Sequence, residues 1–336
     1  MTIARIIGRN VLLHPTEFEP EVQMWVYEET LADGRKLTDV INNDHENPKY
    51  LPGKLVPSNV IANPDLVSSA KGATALVFVL PHQFVARTCQ DLKKGNVLGA
   101  NCKAISLIKG FDDSDCTDGH ISLISDLIAR ELGVDVSVLS GANIANEVAD
   151  EKFCETTIGY RHVQHGAMFQ RLFQTPNFHV GMVHDVDGVE ICGALKNVVA
   201  IAAGLVDGLS YGDNTKAAII RMGLSEMRKF AYIFATSHGR TISTETFFES
   251  CGVADLITTC AGGRNRKVAE AFAKTGRPFA ELEKEMLNGQ KLQGTLTSNE
   301  VYGYLKKHDL LQDFPLFVKV YKVCYEGVPA KAIVSW

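Results

Sequence analysis

The apolar positions in the first part of the chain, up to about residue 140, fall in short runs bounded by Gly, Pro, Asn or Asp. Segments with helical spacing lie between these runs. Residues 118–133 form one such segment, with Asp118 as a candidate N-cap and Gly133 as the stop. Short apolar strands that alternate with helices predict a parallel sheet covered on both faces. The predicted strands are 22–29, 59–62, 73–80, 103–110 and 135–141.

The pattern changes after a further strand-like run at 178–183. From residue 189 onward the apolar positions recur almost entirely at helical spacing, and Gly, Pro and Asn separate the segments. The pattern therefore predicts an α/β domain followed by an all-helical domain. The predicted helices are 189–207, 214–236, 245–251, 263–274, 279–287, 296–307 and 314–325.

Composition narrows the class of protein. The 336 residues suffice for two domains, and 46% hydrophobic with 22% charged residues is typical of a soluble enzyme. A net charge of −5 argues against nucleic-acid binding. The first residues do not resemble a signal peptide, and Lys196 and Asp207 interrupt the best candidate for a membrane span. The eight cysteines form no CxxC pair, which favours reduced thiols in the cytosol.

One segment raises a chemical question. Lys196 lies in the middle of an apolar, Gly- and Ala-rich stretch from Gly188 to Gly208, where another backbone or a ligand is expected to come close. A lysine there either extends its ammonium to water along the core or is held partly desolvated in a cleft. In the second case its pKa falls and it can exchange protons. The segment alone leaves both interpretations open.

Five motifs, in order along the chain, point to a family: SLIKG, SGANIANEVA, EICGALKNVVAIAAG, GVADLITTCAGGRN and NGQKLQG. With these motifs the chain, from about residue 3 to 328, resembles the NAD-dependent glycerol-3-phosphate dehydrogenases of the eukaryotic cytosolic type. The resemblance implies reduction of dihydroxyacetone phosphate by NADH and the reverse reaction, in glycerol metabolism. It also implies a Rossmann domain (1–187), a helical substrate domain (188–336) and a homodimer.

The sequence departs from this family at its start. The family opens with a strand and a GxGxWG loop, whereas this sequence begins within the helix that follows them. The loop lets the backbone approach the pyrophosphate, and the strand is normally central in the sheet. We therefore expect an interrupted sheet. We also expect that the sequence is truncated, rather than that the protein binds NAD poorly.

The resemblance assigns the acid/base role to Lys196, which weakens the simple snorkelling interpretation. Carbonyl reduction develops negative charge on oxygen, and a lysine with a lowered pKa can protonate it near neutral pH. Lys109, in SLIKG, is expected at the substrate, and its charge would lower the pKa of Lys196 further. Asp255 is expected to balance the two lysines, although as a residue type it also suits a helix cap.

The phosphate of the substrate is expected at TTCAGGRN. The glycines at 262–263 precede a helix predicted to begin near Arg264, so backbone N–H groups and a guanidinium would face the same space. Thr259 and Asn265 would add hydrogen bonds. The resemblance also implies that Asn197 and Asn265 contact substrate and that Arg264 contacts the cofactor.

The resemblance supplies the remaining cofactor contacts. Glu28 or Glu29, after the second strand of the family, could accept from the ribose 2′-OH and so favour NAD over NADP. Tyr27 stands where the family usually has Phe, and its hydroxyl should not prevent stacking. The predicted NAD contacts are Tyr27, Phe84, Ala145, Lys291 and Gln293, together with Arg264.

No metal site is predicted. RHVQH, residues 161–165, has no carboxylate partner that the sequence identifies, and we interpret it as structural or surface-exposed. Two other functions stay open: a related hydroxyacid dehydrogenase, and a cofactor-deficient, non-catalytic dimerising paralogue. The predicted partners are a phosphorylated triose and a second copy of the chain, with no nucleic acid and no membrane.

Overall fold

The computed structural model describes residues 1–112, 119–287 and 291–335. Its first half contains the strands, which alternate with helices. The strands are β1 (Val22–Trp25), β2 (Glu46–Asn47), β3 (Leu51–Leu55), β4 (Val60–Asn63), β5 (Ala75–Phe78), β6 (Lys103–Ser106), β7 (Asp135–Ser140), β8 (Cys154–Gly159) and β9 (Phe178–Val183). The helices of this half are α1 (Thr2–Leu13), α2 (Leu37–Asp44), α3 (Leu66–Ser69), α4 (Val85–Gly95), α5 (Ile124–Leu132), α6 (Ala145–Ala149) and α7 (Val163–Phe173).

The second half is helical, as predicted. A 3₁₀ turn (Glu245–Phe248) and a π-helical turn (Ser250–Ala254) replace the helix expected at 245–251. The α-helices are α8 (Val186–Gly208), α9 (Asp213–Ser237), α10 (Asp255–Gly262), α11 (Arg264–Thr275), α12 (Phe279–Met286), α13 (Gln293–Lys307) and α14 (Pro315–Tyr325).

The sheet of the first half is interrupted. Strands β5 to β9 form one five-stranded sheet in sequence order, whereas β1 pairs in parallel only with β4 in a separate two-stranded sheet. The expected gap is therefore confirmed. Within the larger sheet all neighbours are parallel except β7 and β8, which run antiparallel with Val138 opposite Gly159.

Helices cover both faces of the larger sheet, which confirms the predicted layering. On one face, Ile7 of α1 and Phe169 and Phe173 of α7 pack in one buried cluster with β6, β8 and β9. On the other face, Val85 of α4 and Ile128 of α5 pack in a second cluster with β5, β6 and β7. Both faces of the strands are therefore removed from water, which explains their continuous apolar runs.

Helix α8 is the centre of the helical half. It has the length and apolarity of a membrane-crossing helix, but its most apolar 18-residue stretch is wholly buried inside the protein. Gly204 and Gly208 let α11 approach: a Cβ at these positions would lie 2.2 Å from the carbonyl oxygen of Arg266 and 2.5 Å from that of Glu270. The glycines of this segment thus serve a close backbone approach, one of the two possibilities that the sequence raised.

Several local expectations were wrong. Helix α5 begins at Ile124 rather than near 118, and its N-cap is Leu123. Asp118, the predicted cap, lies outside the described residues. Gly133 ends the helix as predicted, in the left-handed conformation at φ 67°. The hairpin of β2 and β3, the strand β8 and the helix α10 were not predicted.

Candidate active site

The lysine of helix α8 is buried inside the protein rather than extended to water. Lys196 is 5% exposed. Its Nζ donates to the carboxylate of Asp255 and, over 2.8 Å, to the hydroxyl of Thr259. Both partners lie on α10, one helical turn apart. The snorkelling interpretation is therefore wrong, because the ammonium is held within a polar cluster of the interior.

Asp255 joins two lysines. It is 3% exposed, and its second oxygen accepts from Nζ of Lys109 at 2.7 Å. Lys109 follows β6 and also donates to the carbonyl oxygen of Gly141, after β7, at 3.3 Å. Two ammonium groups thus share one carboxylate at the carboxyl ends of two parallel strands. This edge is where open α/β sheets place their ligands.

Burial is the main cause of a lowered pKa at Lys196. Burial, reinforced by the nearby charge of Lys109, lowers the pKa of Lys196 to about 7, although Asp255 acts in the opposite direction. Burial alone would raise the pKa of Asp255, but Lys109 and Lys196 hold it below its ordinary value. The surroundings of the cluster therefore favour an ionised carboxylate beside a lysine whose pKa is lowered toward neutrality.

A glycine on α8 lets the helix pack closely against the end of β7. A Cβ at Gly193, one turn before Lys196, would lie 2.9 Å from Oγ of Ser140, whereas it would make only an ordinary contact with Cγ of Lys109, at 3.5 Å. The missing side chain therefore leaves room for the hydroxyl of Ser140. The small residues of this segment are evident in the sequence, but no role was predicted for Gly193 or for the carbonyl of Gly141.

An amide pair extends the cluster toward α11. Nδ2 of Asn265 donates to Oδ1 of Asn197 at 3.0 Å, and Oδ1 of Asn265 accepts from the N–H of Gly294 at 2.9 Å. Asn197 follows Lys196 on α8, so these bonds connect α8, α11 and the start of α13. Arg264 is the first residue of α11, as predicted, and its side chain is exposed.

The predicted cofactor contacts lie in several parts of the fold, and one of them, Gln293, lies beside the residue that follows Lys109. Tyr27 and Phe84 follow β1 and β5 and are 77% and 52% exposed, while Ala145 begins α6 after β7. Gln293 begins α13, and a Cβ at Gly110 would lie 2.7 Å from its Nε2. Gln293 therefore sits beside the loop of Lys109. The ammonium of Lys291, two residues earlier, pairs with Glu283.

The two acids after β1 already have partners. The carboxylate of Glu28 accepts from the N–H and hydroxyl of Thr38 at 3.2 and 2.6 Å, near the start of α2. Glu29 accepts from Lys49 and from the hydroxyl of Tyr50. A bond from either acid to a ribose would therefore be made in addition to these contacts. Their role in cofactor choice stays a prediction.

The histidines of RHVQH do have a carboxylate partner, contrary to the sequence analysis. Nδ1 of His165 lies 2.6 Å from Asp135, and His162 lies 3.9 Å from the same side chain. The fold brings β7 and α7 together, which the spacing of the motif could not reveal. Within residues 1–112, 119–287 and 291–335, no group of three or more His, Cys, Asp or Glu is arranged to hold a metal ion.

Two family models match the chain. The one described as NAD-dependent glycerol-3-phosphate dehydrogenase N-terminus matches residues 1–166, and the one described as the C-terminus of the same enzyme matches residues 185–335. The second match begins at the residue that caps α8. Together the matches span nearly the whole chain.

Individual proteins are similar over almost their full length. A mouse glycerol-3-phosphate dehydrogenase 1-like protein is 57% identical over 333 residues, which cover 99% of this chain and 92% of the relative. The human cytoplasmic NAD(+) glycerol-3-phosphate dehydrogenase is 57% identical over 327 residues, covering 97% and 91%. The solved glycerol-3-phosphate dehydrogenase of Saccharomyces cerevisiae superimposes with a TM-score of 0.91 at 45% identity, covering 99% of this chain and 94% of that one.

Proposed function

Because the chain belongs to the NAD-dependent glycerol-3-phosphate dehydrogenase family, we propose a specific role for each charged group of its candidate active site. The protein is an NAD-dependent oxidoreductase that interconverts dihydroxyacetone phosphate and sn-glycerol 3-phosphate. It is cytoplasmic, in agreement with the names of its mouse, rat and human relatives. The matches do not favour a different hydroxyacid dehydrogenase or a non-catalytic paralogue.

Lys196 is the proposed acid/base. Transfer of a hydride to the carbonyl carbon, which bound NADH would supply, leaves negative charge on the carbonyl oxygen. Nζ of Lys196 then donates a proton to that oxygen, and in the reverse direction neutral Lys196 takes the proton from the alcohol. The lowered pKa of Lys196, about 7, supports this role because both protonation states are populated near neutrality.

Three neighbouring side chains position Lys196 and set its pKa: those of Lys109, Asp255 and Thr259. The carboxylate of Asp255 accepts hydrogen bonds from both ammonium groups, and the hydroxyl of Thr259 accepts a second hydrogen bond from Lys196. The charge of Lys109 lowers the pKa of Lys196 and also faces the developing oxyanion of the substrate. The cluster is thus fixed before substrate binds.

The phosphate of the substrate is bound at the start of α11. Arg264 supplies a planar guanidinium that can bind phosphate with two parallel hydrogen bonds. The amides of Asn197 and Asn265 lie between the acid/base and this helix start and complete the proposed substrate contacts.

The residues around the sheet edge fit a dinucleotide. Two large aromatic side chains, Tyr27 and Phe84, are exposed after the carboxyl ends of β1 and β5, where stacking would remove apolar surface from water. We assign them to the cofactor together with Ala145, Arg264, Lys291 and Gln293. The bound nicotinamide supplies or accepts the hydride, and these side chains orient it.

We also propose a division of the chain into two domains and its assembly into a homodimer. Residues 1–187 form the cofactor domain and residues 188–336 the substrate domain, a division supported by the start of α8 at Val186. The helical domain is assigned the contact surface of a homodimer. Sedimentation of the purified protein would test this assembly.

One observation carries the catalytic assignment: a lysine buried in the core is bonded to an aspartate and a threonine at the sheet edge. Replacing Lys196 with Ala should lower the rate of dihydroxyacetone phosphate reduction ~10²–10⁴-fold, as for other acid/base groups, with little change in NADH affinity. Lys216→Met is the matched control, because Lys216 pairs with Asp207 at 2.7 Å outside the cluster. More than a tenth of the wild-type turnover in the Lys196 variant would refute the assignment.

A further inference from the structure

A buried carboxylate on α12 faces the segment that leads into α13. Glu283 is 5% exposed, and its two oxygens serve two neighbouring groups. One accepts from Nζ of Lys291 at 2.9 Å and the other from the N–H of Leu292 at 3.1 Å. The other acids of α12 that have ion pairs, Glu281 and Glu285, bind Arg277 at the surface.

The two residues that follow contact the active-site cluster. The N–H of Gly294 donates to Asn265, and the side chain of Gln293 lies against Gly110, next to Lys109. The carboxylate of Glu283 therefore holds Lys291 and Leu292 in a segment that continues directly into the active site. Burying a carboxylate is costly unless charged and hydrogen-bonded partners compensate, and here both partners belong to this one segment.

We propose that Glu283 is a positioning residue for the cofactor and acts through Lys291. The side chain of Lys291 is 66% exposed and would sample many conformations if unpaired. Its bond to Glu283 selects one of them in advance, so that less conformational freedom is lost when the ammonium meets the anionic part of the dinucleotide. This inference rests on the proposed assignment of Lys291 to the cofactor.

The test is a double-mutant cycle on NADH binding, measured by calorimetry with the full chain. Glu283→Gln keeps an acceptor for the N–H of Leu292 but replaces the charged bond to Lys291 with a neutral, weaker one. The variant should raise the Kd for NADH about fivefold in the wild-type background and less than about twofold in a Lys291→Met background. The KM for NADH should rise by a larger factor than kcat falls. Glu285→Gln, on the exposed side of the same helix, is the control.

The possible results distinguish a failure of the role proposed for Glu283 from a failure of the assignment of Lys291 to the cofactor. If Lys291→Met weakens NADH binding but Glu283→Gln does not, the inference is overturned and the assignment of Lys291 stands. If Glu283→Gln has the same effect in both backgrounds, Glu283 acts on the fold rather than through Lys291, and the inference is overturned. If Lys291→Met leaves NADH binding unchanged, both are overturned.

Discussion

Replacing Asp255 with Asn should shift the pH dependence of catalysis rather than only lower the rate. Within the described residues, Asp255 is the anion that pairs with both Lys109 and Lys196, and its loss removes an attraction that favours the protonated form of Lys196. At an effective dielectric constant of about 20, two charges about 4 Å apart interact by about 4 kcal/mol, and one pKa unit is about 1.4 kcal/mol. Asn retains part of the hydrogen bonding, so we expect the pKa of Lys196 to fall by about two units below its value of about 7.

The sign of the effect differs between the two directions. With Lys196 as the proposed acid/base, reduction of dihydroxyacetone phosphate needs its protonated form and is lost as pH rises through its pKa. Oxidation of glycerol 3-phosphate then needs its neutral form and is lost as pH falls through the same value. At pH 7 the protonated fraction would drop from about one half to about one in a hundred, so reduction should slow ~50-fold while oxidation keeps its neutral base.

The assay is the initial rate of NADH absorbance change in both directions from pH 4 to 9 at saturating substrates, so that the shifted midpoint lies inside the range. Asp207→Asn is the control, because Asp207 pairs with Lys216 and Arg266 away from the cluster. A melting temperature measured for each variant separates misfolding from titration. If Asp255→Asn lowers both rates at every pH without moving either midpoint, Asp255 does not set the pKa of Lys196 and the reasoning is refuted.

Two further predictions concern the phosphate contact and the helix packing. Arg264→Ala should raise the apparent KM for dihydroxyacetone phosphate much more than that for dihydroxyacetone, because only the former offers a phosphate to the guanidinium; equal losses on both substrates would assign Arg264 to the cofactor or the fold. Gly204→Ala should destabilise the protein by ~1–3 kcal/mol in denaturant unfolding, because the new methyl would meet the backbone of α11. Gly262→Ala, where a Cβ meets nothing within 4 Å, is its control, and equal unfolding free energies for the two variants would contradict the packing argument.

The sequence predicted those elements whose apolar periodicity is strong. The predicted ends of helix α8 and strand β9 lie within three residues of the observed ends. Strand β8 was missed because its residues, CETTIG, include few apolar side chains. The hairpin strand LPGKL contains both Pro and Gly, which local rules assign to loops. Helix α10 was missed because its glycines were interpreted as a phosphate loop, and Asp255 was considered only as a partner of the lysines or as a helix cap.

Some residues of the candidate site were predicted from the sequence, and others were missed. Lys196, Lys109 and Asp255 were predicted from motifs, and the structure brings their charged groups together; their roles stay predictions. Glu283 was missed because it acts on residues eight and nine positions away through a turn, so no short motif connects it to Lys291. The contact of Asp135 with two histidines was missed for a similar reason: strand and helix meet only in the folded protein.

The glycine contacts between α8 and α11 also bear on the length of substrate that the proposed site accepts. The proposed proton donor, Lys196, belongs to one of these helices and the proposed phosphate-binding residue, Arg264, belongs to the other, so the distance between them depends on how closely the two backbones pack at Gly204 and Gly208. A three-carbon substrate must span that distance with its carbonyl at one end and its phosphate at the other. Under this proposal, the length of substrate that fits the site depends partly on two glycines of α8 that lie turns away from Lys196. A change in chain-length preference could arise there without any substitution among the groups that touch the substrate.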